Sequence, residues 1–346
     1  IRQVVPYVPG EQPAGDKIIK LNTNENPYPP APGVKKVLAD MEADRLRKYP
    51  DPTASVLVKE LAAHYGLGED QVFVGVGSDD VLAMSFLTFF NSDKPVLFPD
   101  VTYSFYNVWA DLFKVPFETP ALKEDFTIDT KDYAKENGGV IFPNPNAPTG
   151  VYMPLDQVEE ILKDNQDVVV IVDEAYVDFA GPSAMELLDK YENLLVVQTF
   201  SKSRSMAGMR IGFAMGHPDL IRALNDVKYS YNSYTMNLPS LLAGVEAVKD
   251  KSYFESTLAK IVATRERSKK RLAELGFTFP DSRSNFIFAS HKTVPAGKIF
   301  EALKKEQIYV RYFKTPGLDN SLRISIGTDE EMDALFRFLE AYLPNA

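Results

Sequence analysis

The stretch Val168-Val169-Val170-Ile171-Val172-Asp173-Glu174-Ala175-Tyr176 sets five β-branched apolar residues in a row and then turns polar. So short and unbroken an apolar run fits a strand buried on both faces, the condition of a parallel sheet. Leu194-Leu195-Val196-Val197-Gln198-Thr199-Phe200 reads the same way and runs into Ser201-Lys202. Runs at 72–76, 95–98 and 139–142 complete a first set of strands, with helical patterns at 79–90 and 155–165 between them. Strands alternating with helices of crossover length predict an α/β fold, a three-layer unit whose mostly parallel sheet lies between helices.

Working outward, the stretch 6–32 is crowded with Pro, Gly and Asn, which break helices and strands, and reads as an extended wrapping arm. From about 237 a long helical stretch leads to a second set of strands at 286–289, 308–310 and 322–326. A chain of 346 residues exceeds the usual size of a single core. The expected division is a large domain at 30–245, with an arm at 1–29 and a smaller α+β domain at 246–346.

The composition, 45% hydrophobic and 25% charged, is that of an ordinary globular protein. A net charge of -10 argues against a surface built to neutralise nucleic-acid phosphates or an anionic membrane, so any anion site must be local. The absence of cysteine removes disulfides, thiolate nucleophiles and cysteine-rich metal sites, and fits a reducing compartment. No apolar run approaches the roughly 20 residues of a membrane helix, and no secretory signal is read at Ile1-Arg2-Gln3, so a cytoplasmic location is expected. His64, His217 and His291 show no paired spacing, and no metal site is expected.

Ligands of parallel sheets collect beyond the carboxyl ends of the strands. There stand Asp173 and Tyr176, then Ser201, Lys202 and Arg210. A lysine ammonium is a poor nucleophile at neutral pH and becomes useful when desolvated or joined to a carbonyl as an imine. Taken alone, Lys202 reads as a solvated surface lysine, and its neighbours reverse that reading. Ser201 as a neutral donor and Arg210 as a planar fork of charged donors can bind a phosphate dianion. Gly75-Val76-Gly77-Ser78-Asp79-Asp80 leaves a strand and opens a helix. Free backbone N–H groups there form an anion site, and a plain turn capped by Ser78 or Asp79 is an equal alternative. Asp173 is either a helix cap or a carboxylate that keeps a pyridine nitrogen protonated. Tyr176 either packs in the core or donates to the phenolic oxygen of that ring.

Further landmarks are Asn22-Thr23-Asn24-Glu25-Asn26-Pro27, Tyr49-Pro50-Asp51, Pro99-Asp100-Val101-Thr102-Tyr103, Asn144-Pro145-Asn146-Ala147-Pro148-Thr149-Gly150 and Leu322-Arg323-Ile324-Ser325-Ile326-Gly327. In this order, over almost the whole chain, they resemble the fold-type I pyridoxal-phosphate enzymes, in the histidinol-phosphate branch of the class I and II aminotransferases. The resemblance implies pyridoxal 5′-phosphate as cofactor, with Lys202, Asp173 and Tyr176 as catalytic residues. Lys202 would carry the cofactor as an imine, Asp173 would pair with the pyridine nitrogen, and Tyr176 would contact O3′. It further implies that Tyr103 stacks on the ring and that Ser78, Asp79, Ser201 and Arg210 hold the phosphate. Tyr49 would reach the cofactor phosphate of a neighbouring subunit, which implies a homodimer with shared sites. Arg311 and Arg323 would bind the substrate's anionic end, helped by Tyr7 from the arm. One departure is Ala147, where the family has an Asn whose amide contacts O3′; Asn146 is the expected substitute. Ser203-Arg204-Ser205, where relatives often carry small and aromatic residues, is a second.

The activity so implied is transamination between L-histidinol phosphate and 2-oxoglutarate, giving imidazole-acetol phosphate and L-glutamate, as in histidine biosynthesis. An aromatic amino-acid aminotransferase and a decarboxylase of a phosphorylated amino acid share the same cradle and stay open. A non-catalytic ligand sensor joined to a DNA-binding domain finds no basic stripe to support it.

Overall fold

The computed structural model describes residues 3–15 and 17–346; Ile1 and Arg2, where a secretory signal was sought, and Asp16 lie outside the described residues. After an extended segment come β1 (Ile19–Leu21), α1 (Pro32–Asp40), α2 (Ser55–Tyr65), β2 (Val72–Gly75) and α3 (Ser78–Phe89). There follow β3 (Val96–Leu97), α4 (Phe105–Phe113), β4 (Phe117–Glu118), β5 (Gly139–Pro143), α5 (Leu155–Asp164), β6 (Val170–Asp173), β7 (Leu194–Thr199), β8 (Gly212–Gly216) and α6 (Pro218–Tyr231). Then α7 (Leu238–Lys249) and α8 (Lys251–Glu274) lead to β9 (Phe277–Thr278), β10 (Phe286–His291), α9 (Ala296–Lys305), β11 (Ile308–Tyr312), β12 (Leu322–Ser325) and α10 (Asp329–Tyr342). Among the described residues no helix is long and apolar enough to cross a membrane.

The first sheet has seven strands in the order β2-β8-β7-β6-β5-β3-β4. All its pairs are parallel except those of β8, which runs antiparallel to both neighbours. Alternate residues serve alternate faces. Val140, Phe142, Val170, Val172, Leu194 and Val196 pack with α2, α5 and α7 on one side. Ile141, Ile171, Leu195 and Val197 pack with α3, α4 and α6 on the other. Both faces are therefore covered, as the unbroken apolar runs predict. Each fully buried aliphatic side chain contributes roughly 1.5–3 kcal/mol of transfer free energy, so this double burial is what commits these runs to strands.

Four strands were not read in the sequence: β4 and β9, of two residues each, and β8 and β1. β8 begins and ends with glycine and starts two residues after Arg210, so it looks like a continuation of the loop. Its first glycine is required: a Cβ on Gly212 would lie 2.2 Å from the Ser78 nitrogen. That contact presses β8 against the start of α3. β1 lies inside the Pro-rich arm and pairs parallel with β11, at the edge of a second sheet ordered β1-β11-β12-β10-β9. The other pairs of that sheet are antiparallel. Leu21 carries β1 into a separate core with Ile308, Val310, Leu322 and Ile324. α10, which covers this sheet through Met332, Leu335 and Leu339, starts with a capping box: Thr328 N–H donates to Glu331 Oε2 at 2.8 Å and Glu331 N–H to Thr328 Oγ1 at 3.3 Å.

Candidate active site

The carboxyl ends of β6 and β7, the first turn of α3, the segment after β1, and β11 and β12 meet around a cavity of about 450 Å³. Its walls include Tyr7, Ser78, Asp79, Tyr103, Asp173, Tyr176, Ser201, Lys202, Arg210, Arg311 and Arg323. A larger groove of about 810 Å³, lined in part by Asp125, Asp281 and Arg283, contains none of the predicted site residues.

Asp173 is the last residue of β6 and is buried. Its carboxylate accepts from the Tyr106 hydroxyl at 2.8 Å and from the Ala175 N–H at 3.2 Å, and it has no cationic partner among the described residues. Burial pushes its pKa up to about 6, against the pull of those two donors. Tyr106, itself fully buried, was not picked out in the sequence, where it reads as one more aromatic on the core face of α4. Lys202 follows β7, and its Nζ donates to the Thr23 carbonyl at 3.1 Å and lies 5.7 Å from the centre of the Tyr176 ring. Tyr176 is buried, and its hydroxyl accepts from Asn24 Nδ2 at 2.9 Å.

The α3 end of the cavity is rich in donors. Gly77 adopts φ +91°, and a Cβ there would lie 2.5 Å from Arg210 Nη2, so glycine makes room for the guanidinium. Arg210 reaches the Ser201 hydroxyl at 3.4 Å and Asp79 at 3.3 Å. The other oxygen of Asp79 accepts from the Tyr103 hydroxyl at 2.8 Å. Burial first, and the Asp79 charge second, push the Tyr103 phenol well above its ordinary pKa, so it stays a protonated donor.

Toward the second sheet the polar groups are left with weaker partners. Arg323, on β12, gives one Nη2 bond to the Asn22 carbonyl at 3.2 Å, while its buried Nε has no hydrogen-bond partner. Burial lowers its pKa. Its guanidinium rests against the rings of Phe286 and Phe313, 5.3 and 5.6 Å from their centres. Arg311, on β11, donates to the Pro9 and Val8 carbonyls at 3.3 and 3.2 Å. Neither arginine has a carboxylate partner among the described residues. Tyr7 stacks on Phe105 with ring centres 4.2 Å apart, which places the arm over the cavity.

Two expected residues stand elsewhere. Asn146 is buried, but its Nδ2 is spent on the Val101 carbonyl and Thr149 Oγ1, both at 3.0 Å, and Ala147 faces the cavity in its place. Tyr49 is 82% exposed and stacks on Tyr234, with ring centres 4.6 Å apart, outside the cavity of its own chain. Two arm residues that carried no assigned role, Thr23 and Asn24, supply partners to Lys202 and Tyr176.

A parallel sheet with a lysine, a buried carboxylate and an anion-binding helix start at its strand ends defines a class, and the whole-chain comparison agrees. The family model for aminotransferase class I and II matches residues 16–339, and the chain belongs to that family. It is 51% identical over 345 residues to a histidinol-phosphate aminotransferase of Brachyspira hyodysenteriae, covering 99% of this chain and 98% of the relative. It is 53% identical over 332 residues to one of Clostridium acetobutylicum, covering 96% and 94%. Among solved structures it is similar to the histidinol-phosphate aminotransferase of Sinorhizobium meliloti in complex with pyridoxal-5′-phosphate, at a TM-score of 0.82 and 25% identity, covering 94% and 89% of the two chains.

Proposed function

We propose that this chain is a pyridoxal-phosphate-dependent aminotransferase that transfers the amino group of L-histidinol phosphate to 2-oxoglutarate, forming imidazole-acetol phosphate and L-glutamate, in histidine biosynthesis. The observation that carries the reading is one cavity holding a half-buried amine, a buried carboxylate without a cation, and two arginines without carboxylates. The residues fit the coenzyme. Gly77 leaves the space that a side chain would fill beside Arg210, and the N–H groups at the start of α3, Ser201 and Arg210 form a donor set for a phosphate dianion. Asp173 lacks the positive partner that a ring N–H would supply.

Pyridoxal phosphate supplies an aldehyde that captures amines and a protonated ring that draws electrons from the substrate's Cα. Lys202 would hold that aldehyde, and its amine, when free, would take the proton from the substrate's Cα as a base and deliver it as an acid to the coenzyme's former aldehyde carbon. Asp173 would accept from the ring nitrogen and keep its proton in place. Tyr176 would donate to the phenolic oxygen, Tyr103 would lie against the ring, and Ser201, Arg210 and the backbone N–H groups of Ser78 and Asp79 would hold the phosphate. Arg323 and Arg311 would bind the anionic end of each substrate in turn, since a guanidinium fork donates equally to a carboxylate or a phosphate; Tyr7 would close the arm side. The amide role given to Asn146 is withdrawn from this assignment, because both its visible N–H bonds go to Val101 and Thr149.

In this reading residues 30–245 supply the coenzyme contacts, while 1–29 and 246–346 supply the substrate contacts. The chain works as a homodimer in the cytoplasm. Tyr49 would reach the coenzyme phosphate of the other chain, a role supported by its exposure and its place outside the cavity of its own chain. Light scattering on the coenzyme-loaded protein should give twice the chain mass; a monomer with full activity would contradict the shared site. The decisive assay mixes histidinol phosphate with 2-oxoglutarate and follows glutamate. Glutamate formation supports the assignment, and its absence alongside turnover of aromatic amino acids moves the chain to the aromatic aminotransferases.

A further inference from the structure

Asn24 lies where the arm, the second sheet and the large sheet meet. It is 1% exposed and adopts φ +56°, a left-handed conformation that Asn tolerates better than most residues. Its N–H donates to Ser325 Oγ at 2.9 Å, and that hydroxyl donates to Asn24 Oδ1 at 3.0 Å. Its carbonyl accepts from Asn285 Nδ2 at 2.9 Å. With Oδ1 so occupied, the amide presents Nδ2, and Nδ2 donates to the Tyr176 hydroxyl at 2.9 Å. A phenol has one proton and accepts through its lone pairs. Because Asn24 fills an accepting position, the proton of Tyr176 is directed away from Asn24. Tyr176 lines the cavity beside Ala147, whose methyl brings no competing polar atom.

We propose that Asn24 is a positioning residue of the active site: its amide turns the Tyr176 hydroxyl proton toward the coenzyme's phenolic oxygen. The inference rests on the proposed function and deepens it. It also links two halves of the site. Ser325, which orients the Asn24 amide, is two residues from Arg323 on β12, so an anion drawn to Arg323 acts on the strand that sets the coenzyme's hydrogen bond.

The test uses the coenzyme-loaded protein and two substitutions chosen for the left-handed backbone. Asn24→Gly deletes the amide without backbone strain, while Asn24→Asp keeps the shape but offers only acceptors when ionised. The readout is the pH midpoint of the bound coenzyme's visible absorbance. A donor to a phenolate oxygen stabilises its anionic form and lowers the proton affinity of groups that share a proton with it. Weakening that donor in Asn24→Gly should raise the midpoint by roughly half a unit to one unit. Asn24→Asp should raise it further, because its carboxylate accepts the Tyr176 proton and pulls it out of the cavity. Both midpoints equal to wild type, or Asp shifted less than Gly, would overturn the proposal, even if melting temperatures fall, since a purely structural asparagine lowers stability without moving the absorbance. If neither variant folds, Ser325→Ala is read by the same midpoint: an upward shift supports the proposal and no shift overturns it. A wild-type protein that takes up no coenzyme would instead overturn the function beneath.

Discussion

The two walls of the cavity are built on different terms. At the ends of β6 and β7 two of the polar groups are met by side-chain and backbone donors near the first sheet: Asp173 by Tyr106 and Ala175, Ser201 by Thr199. On β11 and β12 the two arginines lean on aromatic rings and on backbone carbonyls, two for Arg311 and one for Arg323, and one buried N–H of Arg323 has no partner. In the proposed function the first wall would be preorganised around a group that stays, and the second would await an anion that comes and goes. A buried donor without a partner costs about 1–3 kcal/mol, so the arginine wall stores an incentive to bind an anion, as the buried Asp173 stores one to bind a cationic N–H.

The largest expected effect removes the fixed wall's one covalent anchor. Lys202→Ala should lower turnover by roughly 10³-fold or more and abolish the yellow colour of the loaded protein, as read by spectrophotometry and single-turnover assays. Next comes the exchanging wall: Arg323→Ala should lower kcat/KM toward anionic substrates by roughly 10- to 100-fold while the coenzyme stays bound, the loss of a charge-assisted hydrogen bond. Arg311→Ala should cost less, because the hydrogen bonds of Arg311 to the arm carbonyls are exposed. Equal and small losses at both would erase the contrast between the walls.

A smaller effect follows from Tyr106→Phe. It strips one donor from the buried Asp173 carboxylate and should weaken coenzyme binding about fivefold by equilibrium titration, with Arg323-dependent substrate affinity unchanged. The smallest is a trend with pH. Burial lifts Asp173 from 3.8 to about 6, so in the empty fold its ionisation costs stability as pH rises through that window. A ring N–H offsets this cost only where Asp173 is ionised. The gain in Tm on adding coenzyme should therefore grow as pH rises through about 6 and shrink below it, by thermal melts across a pH series. A flat or reversed trend would detach Asp173 from the ring nitrogen.

What could be read in the sequence follows the same division. The coenzyme wall stands at strand ends, where an unbroken apolar run announces the strand and the next polar residues declare the chemistry, as at Asp173 and Lys202. The partners of those residues were hidden, because their roles exist only in the folded contact. Tyr106 meets Asp173 across 67 residues and Asn24 meets Tyr176 across 152. Local pattern shows Tyr106 as helix core and Asn24 as part of a breaker-rich arm. β1 was masked by that same arm, since three residues pairing with a distant strand leave no periodic trace. β8 was masked by its glycines, which are present for the close approach to Ser78. Asn146 failed for a geometric reason that spacing cannot carry: its amide points to Val101 and Thr149, and its neighbour Ala147 faces the cavity.

The most direct test of the account is reductive trapping. Protein incubated with pyridoxal phosphate, reduced with borohydride and digested should yield one pyridoxyl-bearing peptide, with the adduct on Lys202 by mass spectrometry. An adduct on another lysine, or no adduct under conditions where the protein is folded, would contradict it.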